Sequence, residues 1–308
     1  MTANSKEQER ILVIKLGALG DFIQALGPMA AIRNHHKEAH ITLLTTKPFK
    51  RFAEKCNYFN EIWIDTKPKF YQISGWRALR KKLNSGQFDR VYDLQNNDRT
   101  SFYLKLFSPK PEWVGAAPGA SHRNTSPERT AGHAFDGHVQ TLALVGVKNV
   151  QIDTLEWMKG DISGFALKAP YALLVPGSAP QHLYKRWPAQ SYAALAKALH
   201  ERGVQPVILG ALSEIKAAQT IMRACPEALN LVAKTSLDQI ISLAKDADFA
   251  VGNDTGPMHL IGASGCTSLV LFSGRSNPVR HKPKGRAVKT LQSQDLSDLS
   301  LEAVLGAL

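Results

Sequence analysis

The chain lacks any apolar run approaching the roughly 20 residues that a bilayer-spanning helix requires. Cysteine is nearly absent. Cys56, Cys225 and Cys266 lie far apart with no CxxC pair, which excludes a disulfide framework and a thiolate zinc site. Glycine and proline are ordinary at 22 and 16, so collagen-like and low-complexity architectures are excluded too. The opening MTANSKEQER is polar and no signal-type apolar stretch follows it, so a cytoplasmic chain is expected. Acidic residues are in deficit: 26 against 38 Lys and Arg, for a net charge of +12. The first 160 residues hold +8 of that excess. A surplus concentrated there suits an anionic partner, and it equally suits a surface that is merely soluble.

What is present is a hydrophobic share of 44% over 308 residues, more than one usual domain. Short β-rich runs alternate with amphipathic stretches, and the scheme occurs twice. In the first half the strands expected are 10–16 (RILVIKL), 40–45, 61–65, 90–94 and 113–116, with helices near 21–34, 47–57, 74–85 and 98–107. In the second half strands fit 171–175 (YALLV), 204–209, 229–232, 248–251 and 267–272, with helices near 188–202, 213–224, 236–246 and 256–264. Strands that are apolar throughout belong to parallel sheets covered on both faces. The expected fold is therefore α/β, with two Rossmann-like doubly wound domains at 1–155 and 156–308 joined through an irregular stretch at 146–170. A second irregular stretch, 116–133, is read as either a functional loop or a disordered one.

Ligands of open parallel sheets bind beyond the carboxyl ends of the strands, so the residues after each strand are the candidates. After the first strand come Gly17 and Gly20, which permit a tight turn, and Asp21, which serves either as a helix cap or as a chemical group. The segment is GxxG and not GxGxxG, which argues against a dinucleotide site. After YALLV come Ser178 and then Lys185, opening a KRWP segment. Lysine is a mobile charge suited to phosphate oxygens, or a plain surface residue. Glu214 follows the next strand and either starts a helix or accepts a ribose hydroxyl. The strongest local signal is GNDTGPMHL, in which Asp254, Thr255 and Gly256 open a helix. Free first-turn amides there make an anion site. His259 lies one turn further in, facing the ligand or packed in the core. Asp-Thr-Gly also marks aspartic proteases, but those need two such carboxylates side by side and only one copy is present.

The ordered set of GxxGD, PGS…KRWP, GxxSE and GNDTGPMHL resembles the heptosyltransferase family, glycosyltransferase family 9, over about residues 10 to 275. The sequence departs from the family pattern where Gly27 precedes Pro28 after Asp21, and in APQHLY between Ser178 and Lys185. The resemblance implies a GT-B fold and an inverting, metal-independent transfer of a sugar from a nucleotide sugar such as ADP-heptose. The acceptor it implies is lipopolysaccharide core or a related anionic, lipid-linked saccharide. It implies Asp21 as catalytic base; Ser178, Lys185, Glu214, Asp254, Thr255, Gly256 and His259 on the donor; and Gly17, Gly20 and Arg123 on the acceptor side. No cofactor, metal or nucleic acid is expected. Arg129, His122 and His133 would add positive potential near Arg123. Peripheral membrane contact is open, although no amphipathic anchor is evident in the sequence. The other readings are an NAD-type oxidoreductase and a non-catalytic nucleotide-sugar- or anion-binding protein of the same fold.

Overall fold

The computed structural model describes residues 8–308. The first seven residues, part of the polar opening stretch, lie outside them. The chain divides between Gln151 and Ile152 into two compact units, each built on one six-stranded sheet.

In the first unit the strands are β1 (Arg10–Ile14), β2 (His40–Thr45), β3 (Glu61–Ile64), β4 (Arg90–Asp93), β5 (Glu112–Gly115) and β6 (His122–Arg123). The helices are α1 (Leu19–His35), α2 (Lys50–Lys55), α3 (Ile73–Ser85), α4 (Asp98–Tyr103), α5 (Glu128–Ala131) and α6 (Ala134–Ala143). All strand pairs are parallel, in the order β3-β2-β1-β4-β5-β6. The order reverses at β1, which places β1 and β4 at the centre and makes their carboxyl ends the topological switch point.

The second unit repeats the plan with β7 (Tyr171–Val175), β8 (Gln205–Ile208), β9 (Leu229–Asn230), β10 (Phe249–Asn253), β11 (Ser268–Ser273) and β12 (Val288–Ser293). Its helices are α7 (Ala189–Glu201), α8 (Ile215–Ala224), α9 (Leu237–Asp246), α10 (Gly256–Ala263), α11 (Pro278–His281) and α12 (Leu301–Ala307). The order is β12-β11-β10-β7-β8-β9, again parallel throughout, with the switch between β7 and β10. Strand β7 shows why its sequence is apolar at every position. Ala172 and Leu174 enter a core with Trp187, Tyr192 and Leu195, while Tyr171, Leu173 and Val175 enter another with Ile240, Met258 and Ile261. Both faces are covered, so no residue of the strand can be polar without a partner.

The expected strands and helices are all found, most within two residues of their expected bounds. Six elements lie outside the expectation: β6, α5, α6, α11, β12 and α12. The stretch 116–133 is not irregular throughout. It contributes β6 to the sheet edge, where Asn124 N–H donates to the Gly115 carbonyl, and the Asn124 side-chain amide donates to Thr141 on α6. Within the stretch 146–170, residues 160–167 pack on the second unit. Ile162, Phe165 and Leu167 lie against its core, and Gly160 N–H donates to Ser242 Oγ at 2.9 Å. The three cysteines are free and buried. Among the described residues no helix is long and apolar enough to cross a membrane.

Candidate active site

The carboxyl end of β1 is a turn held from three sides. The Leu16 amide donates to Gln95 Oε1, and its carbonyl accepts from Thr46 Oγ1 and Lys67 Nζ, at 2.9, 3.2 and 3.2 Å. Those partners follow β4, β2 and β3 in turn, so neighbouring strand ends fix where the loop leaves the sheet. Gly17 sits at φ +117°, and a Cβ there would lie 2.8 Å from the Phe49 ring, so only glycine fits. Phe22 stacks on that same ring with centroids 4.7 Å apart, which clamps the first turn of α1. Asp21 lies inside that turn. It is not the N-cap, a place taken by Ala18, which has no side chain to cap with. Asp21 is part-exposed at the strand-end face of the sheet.

Lys15 interacts with Asp21, and Asp93 interacts with Lys15; no motif in the sequence points to either. Lys15 is buried, and its ammonium donates to the Leu94 carbonyl at 3.0 Å. Burial pushes its pKa down, while the charges of Asp21 and Asp93 pull it back up. Asp93, at the end of β4, is also fully buried, and burial pushes its carboxyl up to about 6. The amides of Asn96 and Gln95, which donate to its Oδ1 at 2.9 and 3.0 Å, hold that rise in check. Asp93 is therefore a group that the fold prefers protonated. A raised carboxyl pKa favours the folded state below about pH 3.8, and that contribution is lost as pH rises through about 6. The lost contribution is on the order of 3 kcal/mol. Asp93→Asn should remove the slope, so the gap in denaturation midpoint between variant and wild type should widen in the variant's favour from pH 4.5 to 7.5. A gap independent of pH would show that Asp93 ionises normally.

The structure does not bring Arg123 to Asp21. Arg123 lies on edge strand β6, three strands from β1, or about 14 Å at ordinary strand spacing. Its Nε donates to the Ala116 carbonyl. His133 is buried and caps α6, accepting from the Phe135 amide.

In the second unit the strand-end residues converge. Asn253, wholly buried at the end of β10, is the organiser. Its Nδ2 donates to the carbonyls of Pro176 and Gly177 at 2.8 and 3.2 Å, and its Oδ1 accepts from Trp187 N–H and Tyr192 Oη at 3.0 and 3.1 Å. One side chain thus ties the loop after β7 to the start of α7. Directly after it, Asp254 accepts from Lys185 Nζ at 2.6 Å, so Lys185 is an oriented charge and not a loose surface lysine. Beside the pair α10 opens at Gly256, with Thr255 as N-cap and no side-chain cap bond. Pro257 has no N–H, so it withdraws one amide from that first turn. His259 is buried one turn further along.

Arg186 binds the remaining candidates together. Its guanidinium donates to Ser178 Oγ and the Ser178 carbonyl at 3.1 and 2.8 Å and lies 3.4 Å from Glu214 Oε1. The Ser178 hydroxyl in turn donates to the His182 carbonyl. Glu214 is buried, accepting from the Ala211 amide and the Ser213 hydroxyl. It fits only because its neighbours are glycines: a Cβ on Gly177 or Gly210 would come within 2.6 or 2.8 Å of it. Ser178, Lys185, Glu214, Asp254, Thr255 and Gly256 therefore share the carboxyl edge of one sheet. Asp246-Ala247-Asp248 is an Asp-x-Asp triplet of the kind that holds a metal in some transferases. It joins α9 to the amino end of β10, the opposite edge from these residues. No group of three or more His, Cys, Asp or Glu suited to a metal occurs among the described residues.

Two parallel sheets of this topology, each with polar groups gathered at its switch point, define a GT-B-like α/β enzyme. The family model for glycosyltransferase family 9 (heptosyltransferase) matches residues 146–302. Lipopolysaccharide heptosyltransferase 2 of Escherichia coli (strain K12) is 36% identical over 87% of this chain and 84% of its own length. In fold, the chain is similar to a glycosyl transferase family 9 protein from Veillonella parvula DSM 2008, with a TM-score of 0.82 at 22% identity over 97% and 95% of the two chains. It is also similar to E. coli heptosyltransferase WaaC with ADP, with a TM-score of 0.76 at 17% identity over 97% and 98%. The chain belongs to glycosyltransferase family 9, the heptosyltransferases, and is a glycosyltransferase.

Proposed function

We propose that the enzyme transfers heptose from ADP-heptose to a hydroxyl of an anionic, lipid-linked saccharide of the lipopolysaccharide core, with inversion and without a metal ion. The observation that carries the reading is the Lys185–Asp254 pair, set on Asn253 beside the uncapped first turn of α10. The Lys185 ammonium, oriented by Asp254, and the free amides of that turn offer positive potential to a diphosphate. Relatives of the chain are named as lipopolysaccharide heptosyltransferases, and a structural neighbour is described with ADP. Both support this donor and acceptor class.

In the proposed reaction the acceptor oxygen attacks the anomeric carbon and gives its proton to the Asp21 carboxylate. The bond from that carbon to the diphosphate oxygen breaks, and its electron pair leaves with ADP. A hydroxyl is a poor nucleophile at neutral pH, and a positioned base typically contributes 10²–10⁴-fold. On the donor side Lys185, Thr255 and the Gly256 amide meet the diphosphate, and Arg186 ties the loop after β7, at Ser178, to the turn after β8, at Glu214, where the nucleoside is taken. The developing charge on ADP is met by groups already oriented, which lowers the barrier without reorganisation. This reading needs no cofactor.

Lys185→Ala should weaken ADP binding measured by calorimetry by about tenfold, the loss of one charge-assisted contact. It should leave Asp254 buried without its partner. Unchanged ADP affinity would remove Lys185 from the donor site.

A further inference from the structure

Between Asp65 and Asp89 the chain carries six Lys and Arg and no acidic residue. In this stretch the structure also leaves large apolar side chains outside the core. Phe70, Tyr71 and Ile73 are 89%, 60% and 64% exposed, among the most exposed large hydrophobic residues of those described. They run from the loop after β3 into the start of α3. Helix α3 is two-faced. Leu79 and Leu83 are buried, whereas Ile73, Arg77, Arg80 and Lys81 recur at helical spacing on the opposite, exposed side. Phe70 and Tyr71 also line a hollow of about 640 Å³ with Trp76 and Phe102, and Lys69 and Arg99 stand on its rim. Both cations lie over aromatic rings, Lys69 5.8 Å from that of Tyr71 and Arg99 5.5 Å from that of Trp76. Asp98 is the single acid in the lining.

Exposed aromatic and aliphatic tips beside a row of cations are what the boundary between lipid headgroups and acyl chains accommodates. The rings enter the apolar edge while the ammonium and guanidinium groups meet lipid phosphates. A nucleic acid would satisfy the charge but would leave Phe70 and Ile73 in water. We infer that the loop 66–72 and the outer face of α3 form a docking surface for an anionic phospholipid bilayer, with Phe70, Tyr71 and Ile73 inserted at the interface. The inference rests on the reading above only in that a lipid-linked acceptor makes such docking useful. Its test uses neither donor nor acceptor.

The full chain is floated with vesicles of phosphatidylglycerol and phosphatidylcholine, and with vesicles of phosphatidylcholine alone. Binding to the anionic vesicles is expected, at least about tenfold stronger than to the neutral ones and weakened by salt. The triple variant Phe70→Ser, Tyr71→Ser, Ile73→Ser removes surface side chains, so its melting temperature should stay close to wild type. Its partitioning should fall about tenfold. In a second, single variant, Phe70→Trp, emission from the introduced indole should shift to the blue on adding anionic vesicles. Equal binding to both vesicle types, or none to either, would overturn the inference. So would binding that survives the triple substitution with no blue shift in the single variant, or that millimolar inorganic phosphate abolishes, since either describes simple anion attraction. Release of ADP from ADP-heptose with a short water-soluble acceptor should be unchanged in the triple variant. Its absence in the wild type would count against the transferase reading and leave the docking result standing.

Discussion

Replacing Asp21 with alanine should lower the turnover number by about 10²–10⁴ while the affinity for ADP-heptose stays within about twofold. The separation follows from where the residue sits. Asp21 belongs to the first turn of α1 in the first unit, whereas every group proposed to hold the donor lies on the second. The helix start should survive the change, because Asp21 does not cap it and the Phe22–Phe49 stack remains. Parallel calorimetry and initial-rate kinetics check the point. Turnover near the wild-type level would remove Asp21 from the chemistry, and a large loss of donor affinity would make it a binding residue instead.

The largest structural effect is expected from Asn253→Ala. Four hydrogen bonds meet at that wholly buried amide, and removing it leaves the Trp187 and Tyr192 donors and two loop carbonyls without this partner. At about 1–3 kcal/mol for each group left unsatisfied, a loss of roughly 3–5 kcal/mol is expected, since Tyr192 keeps a second acceptor in the Val175 carbonyl. For a unit of this size that corresponds to a fall in melting temperature of about 8–15 °C. ADP affinity should fall with it, because Asn253 sets the positions of Lys185 and of the loop after β7. An unchanged melting curve would mean that the loop and the start of α7 are held by other contacts.

Asn253 also shows why part of the site is not legible in the sequence. It is visible there only as one letter in GNDTGPMHL, because its partners lie 61 to 77 residues away in the chain. Strand ends are legible: fully apolar runs such as YALLV mark the strands, and their carboxyl ends point to Asp21, Lys185 and Asp254. Arg186 resembles part of a helix start, and Lys15 and Asp93 resemble ordinary strand residues, until burial gives them consequences. The unforeseen β12 is a half-exposed edge strand, VKTLQS, whose polar residues break the apolar pattern, and β6 is only two residues long. The Asp-x-Asp at Asp246 and Asp248 is easily overlooked because it falls across the seam between α9 and β10. The apolar and basic surface after β3 is illegible for a different reason. Phe70, Tyr71 and Ile73 read as core by composition, and only the fold shows them left outside.

Base-assisted displacement of ADP in one step requires the sugar to arrive with its anomeric configuration reversed. The most direct measurement is therefore the anomeric configuration of the product formed from ADP-heptose, read by NMR, with chelator present throughout. Undiminished transfer and a linkage opposite in configuration to the donor are expected. A product that keeps the donor's configuration, or transfer that stops until a divalent ion is restored, would contradict the proposed reaction.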